Sequence, residues 1–244
     1  MARFLEIVTR YFLRPALLAK NKASLAAQTD DDWQQTLLID SIGRGINWAS
    51  ENLGMYAPNL VGQYIWLLDD DDECIRPTLV AELKQIVAEH QPDVIMLKMD
   101  HGPRGILPDA DTWQQPPVHG YIGCSAYVVS RELWLRHCMA WLPGEYHSDF
   151  NFIATVFAHQ PLVYWHDVVA SRVQQIGLGR PERNGTGMKV KAKVSFVGYD
   201  LKGTKHRIEL GQEFDLPLGV DWLDKGLVMP VQAEEKPAKK SKAA

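Results

Sequence analysis

Residues Tyr64–Pro77 read YIWLLDDDDECIRP, an apolar run that passes without transition into Asp69, Asp70, Asp71, Asp72 and Glu73. The aromatic and branched residues Tyr64 to Leu68 have the continuous character of a strand buried on both faces of a mainly parallel sheet. The acids then stand at its carboxyl end, where open α/β sheets bind ligands. Adjacent carboxylates repel one another, and burial at a strand mouth adds desolvation, so the run calls for a cation. A divalent metal suits Asp69-x-Asp71, because Mg²⁺ and Mn²⁺ take hard oxygen ligands, accept one or two carboxylates and leave positions for phosphate oxygens. An isolated acidic cluster would read as a solvated turn; the buried strand before it favours a ligand site.

Outward from this junction, strands and helices alternate. Phe4 to Val8 reads as a strand, and Pro15 opens a helix to about Gln28, at a position where the missing proline N–H costs nothing. Thr36 to Ile39 gives a second strand that closes on Asp40, followed by the loop SIGRG and a helical stretch from Asn47 to Leu53. After the acids, Leu79, Val80, Leu83, Ile86 and Val87 share one helical face across Pro77 to His90, and Asp93 to Met99 is another strand. Gly102 to Val118 dissolves into Gly, Pro and Asp, a loop placed to act as a lid. Ile122 to Val129 returns to strand character, Arg131 to Met139 and Asp149 to Ala158 read as helices, and LVYWHDVVASRV as a strand. The expected fold is α/β, layered, with right-handed crossovers.

The chain has 244 residues, 46% hydrophobic and 23% charged, enough for one sizeable domain and a small one. A net charge of −4 gives no electrostatic footprint for nucleic acid, so an anionic ligand must be met by a local site. Cys74, Cys124 and Cys138 lack metal-ligand spacing and are odd in number, which points to a reducing compartment. The opening MARFLEIVTRYFLRP carries neither a signal-peptide core nor a cleavage pattern, and no stretch approaches the roughly 18 apolar residues of a membrane helix. Asn184 to Gly187 reads as a hinge. Beyond it, Val190, Ala192, Val194 and Phe196 alternate with polar residues in a period of two. Residues 188–231 are therefore expected as a small all-β domain after a domain of residues 1–183, and the Lys-rich residues 232–244 as a flexible tail.

Three blocks resemble GT-A fold (nucleotide-diphospho-sugar transferase, Rossmann-like) glycosyltransferases of the family 2 type. They are IVTRYFLRPALLAKNKASLAAQTDDDWQQTLLID, LLDDDDECIRP and HSDFNFIATVFAHQPLVYWHD, which together span roughly residues 3–182. The resemblance implies a metal-dependent, inverting transfer of a sugar from a nucleotide-sugar donor, with Mn²⁺ or Mg²⁺ as cofactor. Thr9, Tyr11 and Asp40 would line the nucleotide pocket, and Asp69 and Asp70 would contribute to donor binding. Asp71, with Asp69, would hold the metal. Read from the residues alone, Thr9 and Tyr11 could equally shape a strand-end turn, and Asp40 could cap the segment after it. Asp149 is the implied general base, although Ser148-Asp149 stands where the family commonly has Glu-Asp; its other reading is a helix N-terminal acid capped by Ser148. His166 is either a third metal ligand or structural, and Arg172 either a diphosphate contact or a surface ion pair. Gly123, Cys124 and Ser125 fall where the fold approaches sugar or acceptor.

The segment from Met188 to Val231 weakly resembles short β modules of tailed-phage proteins, which implies a phage-encoded chain in the host cytoplasm, with the module attaching it to a virion component. The acceptor is open among glycan, protein, lipid and nucleic acid. The alternative from another functional class is a non-catalytic phage structural or adaptor protein that keeps a glycosyltransferase-like fold.

Overall fold

The computed structural model describes residues 3–142, 144–145, 147–173, 189–192, 195–199, 205–215 and 228–230. The hinge at Asn184 to Gly187 and the tail at residues 232–244 lie outside them. The chain divides into two compact units, Met1–Glu182 and Arg183–Ala244.

The first unit is an α/β layer structure. Its elements are β1 (Leu5–Tyr11), α1 (Pro15–Ala26), β2 (Trp33–Ile39), α2 (Ile46–Tyr56), β3 (Tyr64–Leu67), β4 (Asp72–Cys74), α3 (Leu79–His90), β5 (Val94–Asp100), β6 (Ile106–Leu107), β7 (Tyr127–Ser130), α4 (Arg131–His137), α5 (Ser148–Ala158) and β8 (Val163–Val173). The strands form one sheet in the order β2-β1-β3-β7-β5-β8-β4, with β6 on β5. β1 runs parallel to β2 and β3, and β5 parallel to β8. β7 lies antiparallel between β3 and β5, and β4 antiparallel on β8, so the sheet is mixed rather than mainly parallel.

β3 explains why the layers close. Its residues alternate between faces: Ile65 and Leu67 join a core with Leu53, Trp134, Trp141 and Phe152, whereas Tyr64, Trp66 and Leu68 join one with Leu25, Leu79 and Leu83. Both faces are therefore covered by helices, as the uninterrupted apolar run requires. Buried polar groups on the strand are satisfied: the Tyr64 hydroxyl donates to the Pro92 carbonyl at 2.6 Å and Trp66 Nε1 to the Ser125 carbonyl at 3.0 Å.

Three segments differ from the sequence reading. The acidic run itself contains a strand, β4, because the chain turns at Asp69–Asp72 and re-enters the sheet against the end of β8. Cys124–Ala126 form a 3₁₀ turn, so β7 begins at Tyr127 rather than Ile122. The stretch read as a loop from Gly102 holds a 3₁₀ turn, Gly102–Arg104, and β6 paired to Met99 and Asp100.

The second unit contains antiparallel ladders: β10 (Phe196–Tyr199) with β11 (Lys205–Ile208), and β9 (Lys189–Ala192) with both β12 (Glu213–Asp215) and β13 (Val228–Pro230).

The start of β3 is pinned by Glu6, 2% exposed, whose carboxylate accepts from the N–H groups of Val61 at 2.6 Å and Gly62 at 2.8 Å and from the Thr36 hydroxyl at 2.7 Å. A Cβ on Gly62 would stand 2.5 Å from Glu6 Cβ and 2.7 Å from its backbone nitrogen. Gly62→Ala is expected to destabilise the chain by about 3 kcal/mol, measured as a lower urea midpoint at unchanged slope.

Candidate functional site

The acidic turn is met by two arginines, one at the end of β1 and one at the start of α1. Arg10, at the end of β1, forks onto Asp69, with Nε to Oδ1 at 2.8 Å and Nη2 to Oδ2 at 2.6 Å. Arg14, at the N-cap of α1, spans Asp70 and Asp71: Nε lies 3.1 Å from Asp70 Oδ2, Nη2 bonds Asp70 Oδ1, and Nη1 reaches Asp71 Oδ2 at 2.7 Å. Asn21 of α1 clamps the backbone of the same turn, its Nδ2 donating at 2.9 Å to the carbonyls of both Asp69 and Asp72. Gln35 fixes that amide by donating to Asn21 Oδ1 at 2.7 Å.

These contacts divide the carboxyls electrostatically. Burial raises Asp69, but the paired Arg10 outweighs it and holds the group below the usual carboxylate range. Asp70 is pushed up to about 7, by burial first, against Arg14 and the Phe12 N–H. Burial and neighbouring negative charge hold Asp71 and Asp72 above their ordinary values.

Two clefts meet at this wall and share Arg10, Ile46, Asp69 and Asp71. The smaller, about 100 Å³, is bounded by Tyr11, Phe12, Asp40 and Trp48, with the Arg44 guanidinium 4.3 Å from the centre of the Trp48 ring. The larger, about 540 Å³, runs from Asp71 and Asp72 past Gly123, Cys124 and Ser125 to Asp149. Asp149 lies in the first turn of α5, held where the Tyr127 hydroxyl donates to its carbonyl at 3.1 Å. Burial raises its carboxyl above the ordinary range. The chain enters α5 through Gly144 (φ 72°), where a Cβ would stand 2.3 Å from the Asn47 carbonyl oxygen of α2.

Of the residues singled out in the sequence, Tyr11, Asp40, Asp69, Asp71 and Asp149 line the clefts. Asp40 does so with its carboxylate already accepting from the N–H groups of Ile42, Gly43 and Arg44 at 3.1, 2.8 and 2.6 Å, the capping arrangement. Others are placed elsewhere. Thr9 is fully buried, donating to the Leu68 carbonyl at 2.8 Å, and shapes the strand end rather than a pocket. Asp70 is likewise fully buried, its carboxylate accepting from Arg14 and from the Phe12 N–H. Arg172 is exposed and pairs with Asp100 at 3.2 Å, the ion-pair alternative.

His166 has the structural alternative's setting, beside a helix carboxylate. Its Nε2 lies 2.8 Å from Glu82 Oε2 of α3. Asp72 pairs instead with Val173, seven residues farther along β8, roughly 23 Å at the rise of a strand. The functional residues missed in the sequence are Arg10, Arg14 and Asn21. Their signal was topological: a loop leaving the strand beside β3 must pass the end of β3.

The divalent cation implied by the resemblance can be weighed against the donor set. Among the described residues no group of three or more His, Cys, Asp or Glu is arranged to hold a metal. A site completed by phosphate oxygens needs only one or two carboxylates. Asp71 lines both clefts, and the Asp72 carboxylate, 4% exposed, opens on the larger one and accepts no hydrogen bond among the described residues. Four consecutive carboxylates face two guanidiniums, so the residues fit a cation at Asp71 and Asp72.

No family model and no curated protein matches the chain. Its fold is similar to that of solved glycosyltransferase structures. The S. aureus TarS fragment 1–349 in complex with UDP-GlcNAc superposes with TM-score 0.54 at 14% identity over 72% of this chain and 60% of that one. The mannosyltransferase PcManGT from Pyrobaculum calidifontis, in complex with GDP-Man and Mn²⁺, gives TM-score 0.52 at 13% identity, over 75% of this chain and 59% of that one. The chain thus spans about 60% of these structures. The likeness is one of fold: the first unit has the GT-A architecture. No described helix is long and apolar enough to cross a membrane.

Two outcomes are expected. Arg14→Ala strands Asp70 and Asp71 in a buried setting and should cost about 3–5 kcal/mol in chemical denaturation. Burial acts to raise the Glu82 carboxyl, but hydrogen bonds from Arg76, Thr78 and His166 pull it down to about 2. Its stabilisation is therefore full above the ordinary value of 4.5 and lost as pH falls from there toward 2. Glu82→Gln should remove about 1–3 kcal/mol at neutral pH and flatten stability across that acid window, read by thermal melts at stepped pH.

Proposed function

We propose that the first unit is a nucleotide-sugar-dependent glycosyltransferase. The observation that carries this reading is the meeting of two clefts at one acidic wall, with a half-buried carboxylate, Asp149, across the larger of them. The structures of similar fold were solved with UDP-GlcNAc and with GDP-Man and Mn²⁺.

The smaller cleft takes the nucleoside, its base packing on Tyr11 and Trp48. The diphosphate then lies over Asp71 at the junction, and the sugar enters the larger cleft. A divalent cation held by Asp71 with Asp72 would neutralise charge on the departing diphosphate. Arg10 and Arg14 keep the acidic turn in register without being spent on the ligand. Asp149 takes the proton of an acceptor hydroxyl as that oxygen attacks the anomeric carbon from the side opposite the leaving group, which inverts the configuration. Burial, by raising its carboxyl, makes Asp149 a better proton acceptor. The rival reading, a non-catalytic protein on the same fold, draws on the saturation of both Asp69 oxygens by Arg10.

Calorimetric titration of UDP and GDP with and without Mn²⁺ decides between them. Metal-dependent binding by the wild type that vanishes in Asp71→Ala is the expected result, and no binding under any condition would sink the transferase. Asp149→Asn should keep nucleotide binding while slowing sugar transfer by about 10²–10⁴-fold.

A further inference from the structure

The larger cleft has two chemically different ends. Its inner wall is acidic and buried, with Asp71 8% and Asp72 4% exposed. Its outer lip is basic: His101 and Arg104 follow β5, His119 precedes β7, and His147 stands at the N-cap of α5. Arg104, His119 and His147 are exposed, and every carboxylate lining this cleft belongs to the inner wall or to Asp149. None of the four lip residues has a part in the mechanism above.

The lip is also organised. His119 Nε2 and His147 Nδ1 lie 2.9 Å apart, with the rings edge-on at 4.3 Å between centroids, and His119 meets Phe150 edge-on at 5.2 Å. Arg104 Nη2 donates to the Gly120 carbonyl, which ties the turn after β5 to the residue following His119. A guanidinium carries five N–H donors, and among the described residues Arg104 donates to the Gly120 carbonyl alone, so its planar fork keeps donors for an oxyanion. Phosphate is a group whose geometry such a fork matches bidentately.

We propose that this lip binds the phosphate of a phosphorylated acceptor, with Arg104 and the His119–His147 pair as its ligands. The inference rests on the transferase reading, since it names the acceptor class for the same cleft. His147 precedes Asp149 by two residues, so their Cα atoms lie within roughly 7 Å. The phosphate and the attacked hydroxyl therefore belong to the same or adjacent units of the acceptor. The acidic wall sets the orientation by repelling the phosphate, leaving the hydroxyl end to face the base.

The test uses the full chain and an Arg104→Ala/His119→Ala variant. Glycerol 1-phosphate is titrated while the imidazole NMR signals of His119 and His147 are followed, with glycerol as the neutral control. In parallel, co-sedimentation with vesicles containing phosphatidic acid is compared with phosphatidylcholine alone. Saturable shifts with glycerol 1-phosphate would assign a soluble phosphorylated acceptor, and selective capture by phosphatidic acid a lipid-linked one. Either response should weaken at least 10-fold in the variant while its affinity for nucleoside diphosphate with Mn²⁺ stays unchanged. No response to either probe, or an equal response by the variant, overturns the proposal. Phosphate binding without any nucleotide binding would keep the anion site and remove the transferase reading, so the two failures are distinguishable.

Discussion

The structure depends on the fork of Arg14 across Asp70 and Asp71. Arg14 is 5% exposed and both of its partners are buried, so neither charge can be left without the other. Buried ion pairs of this kind add little net stability, because desolvation offsets the Coulomb attraction, but removal of one member is severe. Their value lies in geometry. The fork fixes the start of α1 against the end of β3, and Arg10 on Asp69 repeats the device one turn of chain earlier. With Asn21 gripping the turn's carbonyls, the acidic wall is held in place before any ligand arrives. Such preorganisation spares the site the reorganisation that would otherwise oppose charge stabilisation.

The antiparallel β7 provides the space. Strands that ran parallel throughout would bring a helical crossover over this edge, whereas β7 arrives through a 3₁₀ turn, Cys124–Ala126, that forms part of the lining of the larger cleft. That turn is braced from below: Trp66 Nε1 donates to the Ser125 carbonyl and Ser171 Oγ to Ser125 Oγ at 2.8 Å. The cleft is thereby backed by β3 and β8, two rigid strands, on which a site is more sharply defined than on loops.

Much of this was legible because hydrophobic period and turn chemistry act locally. Pro15 opens α1 at its first residue, the apolar face from Leu79 to Val87 forms α3, and the run from Tyr64 is buried on both faces. The crowded acids call for positive charge, and composition does not say which; two arginines four residues apart supply it to Asp69, Asp70 and Asp71. His166 lies apart from the acidic turn because proximity in a motif is not proximity along an 11-residue strand: its partner is a helix carboxylate at the opposite end of β8 from Asp72. Thr9 and Asp70 are buried for a related reason. Side chains at a strand terminus alternate between cavity and core, and a pattern of polar residues does not reveal which of them the core will claim.

The contact at Gly144 reaches further than packing. The residue that leads into α5 touches the Asn47 carbonyl, and α2 also supplies Ile46 to the walls of both clefts. In the proposed transferase, a ligand that displaced α2 would bear on the approach to Asp149. Thermodynamic linkage would make any such influence mutual between the two clefts. Gly144 is the residue at that contact, since a Cβ in its place would stand 2.3 Å from the Asn47 carbonyl oxygen and 2.5 Å from Glu51 Cγ.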